Sequence, residues 1–221
     1  MFDKASATAA AVLAASLAWP AFAGPIVDKA TEIEALLAAN NPTAALEAAS
    51  NLSTEVWDSG PDITIRAAAL VDAPVTMLGI YNPRQDDKYQ IGAPILIYAE
   101  PVGYGFGAAG EGLYSFGFIV DLKVMTEAGE VLGELPSVAN LDVTSRAQNR
   151  EFPANLTYTL TGLVPGRYVL ETTLRDKNSQ KAGSFQNTIE IIEAPASVPD
   201  ETPPQAAPVA PQPEAPEEKV E

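Results

Sequence analysis

Apolar residues recur with two different periods along this chain, and the change of period divides it into segments. Between residues 26 and 58 they recur at intervals of three and four, as on one face of an α-helix. The two sets are Ile26, Ala30, Ile33 and Leu37, and then Ala45, Ala49, Leu52 and Val56. Between the sets, Asn41 and Pro42 are typical of an N-cap and a first helical residue. The pattern predicts a short α-helical hairpin over residues 24–60.

From Ile63 onward the apolar period is two, which is the period of a β-strand with one buried face. The clearest run lies between Leu113 and Met125, where the even-numbered positions are apolar. Predicted strands cover residues 63–71, 75–81, 91–100, 113–125, 130–135, 155–160, 167–175 and 184–192. Short strands of this spacing predict a mainly β fold, an antiparallel β-sandwich over residues 61–193.

The apolar positions of the clearest alternating runs predict the hydrophobic core of this sandwich. The predicted core residues are Phe116, Phe118, Val120, Leu122, Leu156, Tyr158, Leu160, Tyr168, Leu170 and Leu174. They all lie on strands that alternate apolar with polar residues, so one face of each strand is expected to be buried.

One stretch of the chain, Leu160 to Leu170, reads LTGLVPGRYVL. It resembles the entry to the penultimate strand of fibronectin type III and related immunoglobulin-like domains, where a Leu-x-Pro-Gly-x-Tyr corner leads into a strand. The similarity extends over residues 160–192. It implies an immunoglobulin-like sandwich in which the Tyr168 hydroxyl bonds back to nearby backbone as a structural tyrosine corner. The type III family keeps a core Trp on an early strand, whereas Trp57 lies here in the helical segment.

Both ends of the chain differ in composition from its centre. Residues 1–23 combine Lys4, an uncharged Ala/Leu-rich run and a small-x-small site at Ala21 to Ala23, which is the pattern of a secretory signal peptide. We therefore expect an exported protein, periplasmic or secreted, with no membrane span after cleavage. Residues 194–221 hold eight prolines and six acidic residues among many alanines. That composition predicts a disordered tail rich in Pro, Ala and Glu.

Composition excludes several classes of function. The chain has 221 residues, no histidine, no cysteine and a formal net charge of −16. It therefore has no imidazole base, no thiolate nucleophile, and no imidazole or thiolate metal ligand. Its acidity argues against nucleic-acid binding, which needs a basic surface. We expect a non-catalytic binding or assembly module without a cofactor or metal, whose partner is another periplasmic or envelope protein or a glycan.

An enzyme that uses paired carboxylates is the alternative hypothesis. Glu100, Glu111 and Asp121 lie in neighbouring segments of the sequence. Two such groups about 5–10 Å apart would suit a hydrolase that acts on glycans or the cell wall. Asp86 and Asp87 offer oxygen ligands for calcium, but two adjacent carboxylates without the spaced calcium-loop pattern are typical of a solvated turn.

The glycine-rich segment 103–112 holds the candidate ligand-binding residues. Its glycines match the dinucleotide-binding fingerprint G-x-G-x-x-G, but the residues that follow alternate like a strand where the fingerprint needs a helix. Tyr98, Tyr104 and Phe106 surround these glycines, and flat rings in a mobile loop commonly stack on sugars or peptides. The sequence predicts ligand contact at these three residues. The alternative interpretation is that the rings pack into the core.

Overall fold

The structure, a computed structural model, describes residues 24–193. The predicted signal peptide, residues 1–23, and the predicted disordered tail, residues 194–221, lie outside the described residues. The chain divides into two compact units at the boundary between Pro61 and Asp62. The first unit contains two helices and the second contains two β-sheets, so the expectation of a mainly β protein with a helical segment is confirmed.

The two helices are α1, Pro25–Ala38, and α2, Pro42–Ser59. Each begins with a proline, whose ring presets the helical φ and whose missing N–H would have no partner in the first turn. The Asn41 side chain caps α2 by accepting a hydrogen bond of 3.3 Å from the amide of Ala44. An ion pair between Lys29 of α1 and Glu55 of α2 joins the helices in an antiparallel arrangement.

The strands are nine in number within the described residues. They are β1 Thr64–Val71, β2 Lys88–Gln90, β3 Pro94–Val102, β4 Gly107–Ala108, β5 Tyr114–Thr126, β6 Val131–Ser145, β7 Ala154–Thr159, β8 Gly166–Asp176 and β9 Ala182–Ile192. The smaller sheet has the order β1-β3-β7 and is antiparallel. The larger sheet has the order β2-β9-β8-β5-β4, and β6 pairs with β5.

The larger sheet is mixed, because β2 runs parallel to β9. The expectation of wholly antiparallel strands is therefore wrong at this one pair. A parallel pair needs a long connection rather than a tight turn. Here residues 91–181, which contain β3 to β8, connect β2 to β9, and β2 lies at the edge of the larger sheet.

The predicted strand at residues 75–81 is not a strand. Side chains of the smaller sheet take the backbone hydrogen bonds that a neighbouring strand would otherwise take. The Asn155 amide accepts from the Val75 N–H at 2.7 Å and donates to the Val75 carbonyl at 2.8 Å. The Tyr98 hydroxyl accepts from the Gly79 N–H at 2.8 Å. The segment is thereby held as a loop against the sheet face that carries Tyr98.

The core follows the predicted positions closely. Of the ten predicted core residues all are buried except Leu160, which is half-buried. The sheets are joined inside the protein by a hydrogen bond of 3.0 Å between the hydroxyls of Tyr158 on β7 and Thr172 on β8. Gly183 on β9 lies so close to Ile63, the residue before β1, that an added Cβ would be 2.4 Å from the Ile63 carbonyl oxygen. Only glycine permits this approach.

Tyr168 makes the hydrogen bond that a tyrosine corner requires. Its hydroxyl donates to the Val164 carbonyl at 2.8 Å, across the turn that leads into β8. We expect Tyr168→Phe to lower the free energy of unfolding by about 1 kcal/mol, because the carbonyl loses its donor. Urea denaturation measures this, with Tyr114→Phe at the partly exposed start of β5 as the control. An unchanged midpoint for Tyr168→Phe would contradict the structural role of this bond.

Candidate functional site

Tyr98, the first predicted ligand-binding residue, is fully buried at 0% exposure. Its ring lies 4.4 Å from the ring of Tyr81 in the loop that covers it. Its hydroxyl accepts from Gly79 and donates to the Glu100 carboxylate. Burial, together with the hydrogen bond to Glu100, raises the pKa of Tyr98 to about 12. The expectation that this ring is accessible in a mobile loop is wrong.

Glu100, one of the three candidate catalytic carboxylates, is buried beside Tyr98. Burial by itself would raise its pKa, but hydrogen bonds from Tyr98 and Arg66 hold the pKa of Glu100 below its ordinary value. The Arg66 Nε donates to Glu100 at 3.0 Å. The charge of Glu100 therefore helps to fix the smaller sheet and its covering loop.

The other candidate carboxylates lie on different elements. Asp121 is on β5 and accepts from Arg175 Nε at 2.6 Å and from the Ser137 N–H at 2.7 Å. The bond from Arg175 lowers the pKa of Asp121. Glu111 lies in the loop between β4 and β5. Asp121 therefore forms a structural ion pair with Arg175.

The two acidic residues considered for calcium binding both pair with arginine side chains. Asp86 accepts from Arg84 at 2.9 Å and from the Lys88 N–H at 3.1 Å. Asp87 pairs with Arg167 at 3.3 Å. Within residues 24–193, no group of three or more Asp or Glu side chains is arranged to hold a metal ion.

The aromatic residues of the glycine-rich loop form a cluster with rings of the core. Tyr104 is at 0% exposure, lies 5.0 Å from Phe116 and 5.3 Å from Phe118, and donates its hydroxyl to the Asn149 carbonyl at 2.7 Å. Burial raises the pKa of Tyr104 well above its ordinary value. Phe106 is half-buried, 5.4 Å from Tyr104. The expectation of an exposed ring is wrong for Tyr104, and ligand contact at Phe106 stays a prediction.

The turn between β8 and β9 holds this loop in place. The Asp176 carboxylate accepts from the Gly105 N–H at 2.6 Å and from the Asn178 N–H at 3.0 Å. The Lys181 ammonium donates to the Gly103 carbonyl at 2.9 Å. The glycines at 105 and 107 let the backbone approach these side chains, since a Cβ on Gly107 would lie 2.5 Å from Asn178 Oδ1. No helix follows the loop, so the dinucleotide fingerprint lacks the context it needs.

A second candidate surface is the edge of the larger sheet at β6. This strand of 15 residues pairs with β5 alone among the described residues. It leaves four large apolar side chains between 38% and 48% exposed. They are Val131, Leu132, Leu135 and Val138. An unpaired strand edge beside apolar side chains is a surface on which another extended chain can pair.

Beside β6 lies an apolar groove of about 460 Å³, here called the edge groove. It is lined by residues of β5, β6, the β7–β8 loop and the start of β8. These are Val124, Leu132, Gly133, Glu134, Leu135, Leu160, Thr161, Gly162, Leu163, Val164 and Tyr168. Glu134 is the one charged residue of this lining. On the loop side, Val164 is 68% exposed.

A bulge interrupts the free edge of β6. Val120 pairs with Ala139 and Leu122 with Leu135, so residues 136–138 oppose Asp121 alone. Ser137 has a φ of 55° and Pro136 has no N–H to donate, and Asp121 with Arg175 holds Ser137 in place. The free edge is thereby divided into two shorter stretches, 131–135 and 139–145.

Comparison of the chain with protein-family models finds no match, and comparison with curated proteins finds none either. Neither of the two described helices is long and apolar enough to cross a membrane.

Proposed function

We propose that this chain is an exported, non-catalytic binding or assembly module with an immunoglobulin-like sandwich, and that its edge groove holds an extended apolar segment of another periplasmic or envelope protein. The observation that carries this proposal is the free edge of β6 beside the edge groove. The signal-peptide pattern of residues 1–23 supports export, and the resemblance at residues 160–192 supports the sandwich class.

The groove and the strand edge supply the two parts of strand addition. The N–H and C=O groups of residues 131–135 that point away from β5 offer backbone hydrogen bonds to an added strand, and these bonds are independent of the partner's sequence. Leu132, Leu135 and Val164 offer apolar contacts that favour particular side chains. The bulge at residues 136–138 makes the stretch short, so a short segment fits it better than a long sheet edge does.

The charge at the rim of the groove indicates which charged residues are favoured beside the partner's apolar segment. Glu134 is an exposed carboxylate, 3.9 Å from the ammonium of Lys123. Because exposed charges at a rim mainly steer association and select partners, a basic residue next to the partner's apolar side chain is favoured over an acidic one.

The test locates the partner and then measures its affinity. Since the chain has no native cysteine, Leu132→Cys places a single thiol at the groove for a benzophenone cross-linker in periplasmic extract. Mass spectrometry of the adduct identifies the bound segment, which is then synthesised as a peptide. We expect Leu135→Glu to weaken binding of this peptide by about tenfold or more, because it places a charge in an apolar contact. Isothermal titration calorimetry measures the change.

The matched control is Ile80→Glu, which introduces the same charge at an exposed apolar residue of the loop between β1 and β2. It should leave the affinity unchanged. Equal affinity of the protein and Leu135→Glu for the cross-linked peptide would reject the edge groove as the binding site.

A further inference from the structure

The helical hairpin has an apolar face that its own two helices do not cover. At about 100° per residue, Ile26, Ala30 and Leu37 lie within about 40° of one another on α1. Leu46, Ala49 and Val56 lie within about 80° of one another on α2. Leu46 is 72% exposed, Leu37 56% and Val56 55%. The exposed positions include four residues of the predicted stripes, Ile26, Ala30, Leu37 and Val56, and also Leu46, which the predicted stripe does not contain.

Both stripes point to the same side of the hairpin. The helices contact each other through half-buried positions that include Leu36 on α1 and Ala48 on α2. Around each helix axis, the exposed stripe is rotated by about 90° from these contact positions, in the sense in which the chain winds from N- to C-terminus. Because the helices are antiparallel, these two rotations place both exposed stripes on the same side of the hairpin. We call this side the apolar face, with Ile26, Ala30, Leu37, Leu46, Ala49 and Val56.

The opposite side of the hairpin is polar. A cleft between the helices opens there, lined among others by Lys29, Glu32, Glu47 and Asn51. Residues 25–60 carry six acidic residues and one basic residue. A surface helix that binds anionic lipid needs basic residues on its polar face, so a membrane does not fit this hairpin.

We propose that the apolar face packs on the same face of a second copy of this chain, forming a four-helix bundle. Only Ala45 is buried in the two helices, and a two-helix unit cannot bury both of its apolar stripes by itself. Face-to-face packing about a two-fold axis buries the apolar faces of both hairpins against each other. It also leaves the acidic sides of both hairpins outward, so their like charges stay apart.

The size of the face sets the expected affinity. Helices of 14 and 18 residues are about 21 and 27 Å long and pack about 9 Å apart, so the face covers roughly 400 Å² per copy. The total is below the size of a standard stable interface, which is typical of a reversible dimer. We expect a dimer that dissociates in the micromolar range. The dimer would present two edge grooves. The dimer itself forms through the helical apolar face and does not depend on the edge grooves.

The experiment is sedimentation velocity of the exported chain across the micromolar concentration range. We expect a reversible dimer, and we expect Leu46→Glu and Leu37→Glu each to raise its dissociation constant about tenfold or more, since each charge occurs twice in a two-fold interface. Asn51→Glu is the control, because it adds the same charge to the same helix on the polar side. Circular dichroism checks that each variant keeps its helices.

Cross-linking gives an independent readout. Ala49→Cys on the apolar face should form a covalent dimer with a bis-maleimide reagent, whereas Asn51→Cys should not. A monomer throughout the concentration range would overturn the proposal. So would a dimer that both leucine variants leave intact. A dimer that Leu135→Glu disrupts instead would place the self-contact at the edge groove and also overturn it.

Discussion

Tyr104→Ala is expected to lower the free energy of unfolding by about 3–5 kcal/mol, the usual cost of removing a large buried aromatic side chain. The ring is fully buried against Phe116 and Phe118, and its hydroxyl satisfies the Asn149 carbonyl. The variant leaves both a cavity and an unpaired carbonyl, and these costs act together. Urea denaturation, monitored by far-ultraviolet circular dichroism, measures this loss of stability.

The control for Tyr104 is Tyr114→Ala, since that side chain lies at the partly exposed start of β5. It should cost about 1 kcal/mol or less. If Tyr104→Ala kept its stability while a ligand lost affinity, the ring would be accessible in solution. That result would restore the hypothesis of a ligand-binding loop.

Asp176→Ala is expected to cost about 3 kcal/mol of stability, because it removes a buried carboxylate and leaves three partly buried donors without their acceptor. Three donors converge on this carboxylate: the amides of Gly105 and Asn178 and the hydroxyl of Ser179. The loop that contains Gly105 should then open while the sheets remain. Amide hydrogen exchange of residues 103–108 measures the opening, and chemical denaturation measures the loss of stability.

Asp142→Ala is the matched control for Asp176. Its carboxylate is 71% exposed and pairs with Lys177 at the surface. An exposed pair contributes little, so this variant should change stability by less than about 1 kcal/mol. Equal effects of the two variants would mean that Asp176 does not anchor the loop.

Local patterns were sufficient for the helices and for most of the strands. The Asn41-Pro42 pair places the start of α2 because a cap and a fixed φ act within a single turn. The alternation from Tyr114 to Val124 predicts β5 because one face of a strand repeats every second residue. The buried residues of β5 follow from the same repeat.

The two candidate surfaces differ in how far local patterns reveal them. The apolar stripes of α1 and α2 are visible as spacings, but the spacing does not say whether a helix covers them or leaves them exposed. On β6, Val131, Leu132, Leu135 and Val138 break the alternation. The predicted strand covers residues 130–135, whereas the strand of the structure continues to Ser145. That irregularity accompanies a bulge and an exposed edge.

By itself, the sequence determined the helical hairpin, the period-two strands and the residues of the core, because each is revealed by the spacing of apolar residues along a short stretch of chain. Only the tertiary structure decided that residues 75–81 are a loop, that Tyr98 and Tyr104 are buried, and that β6 borders an open groove. Asn155 is 80 residues from Val75 and Asp176 is 71 residues from Gly105. These side chains form hydrogen bonds with backbone groups that a local pattern would pair with a neighbouring strand. Because the residues are distant in sequence, only the folded chain brings them together.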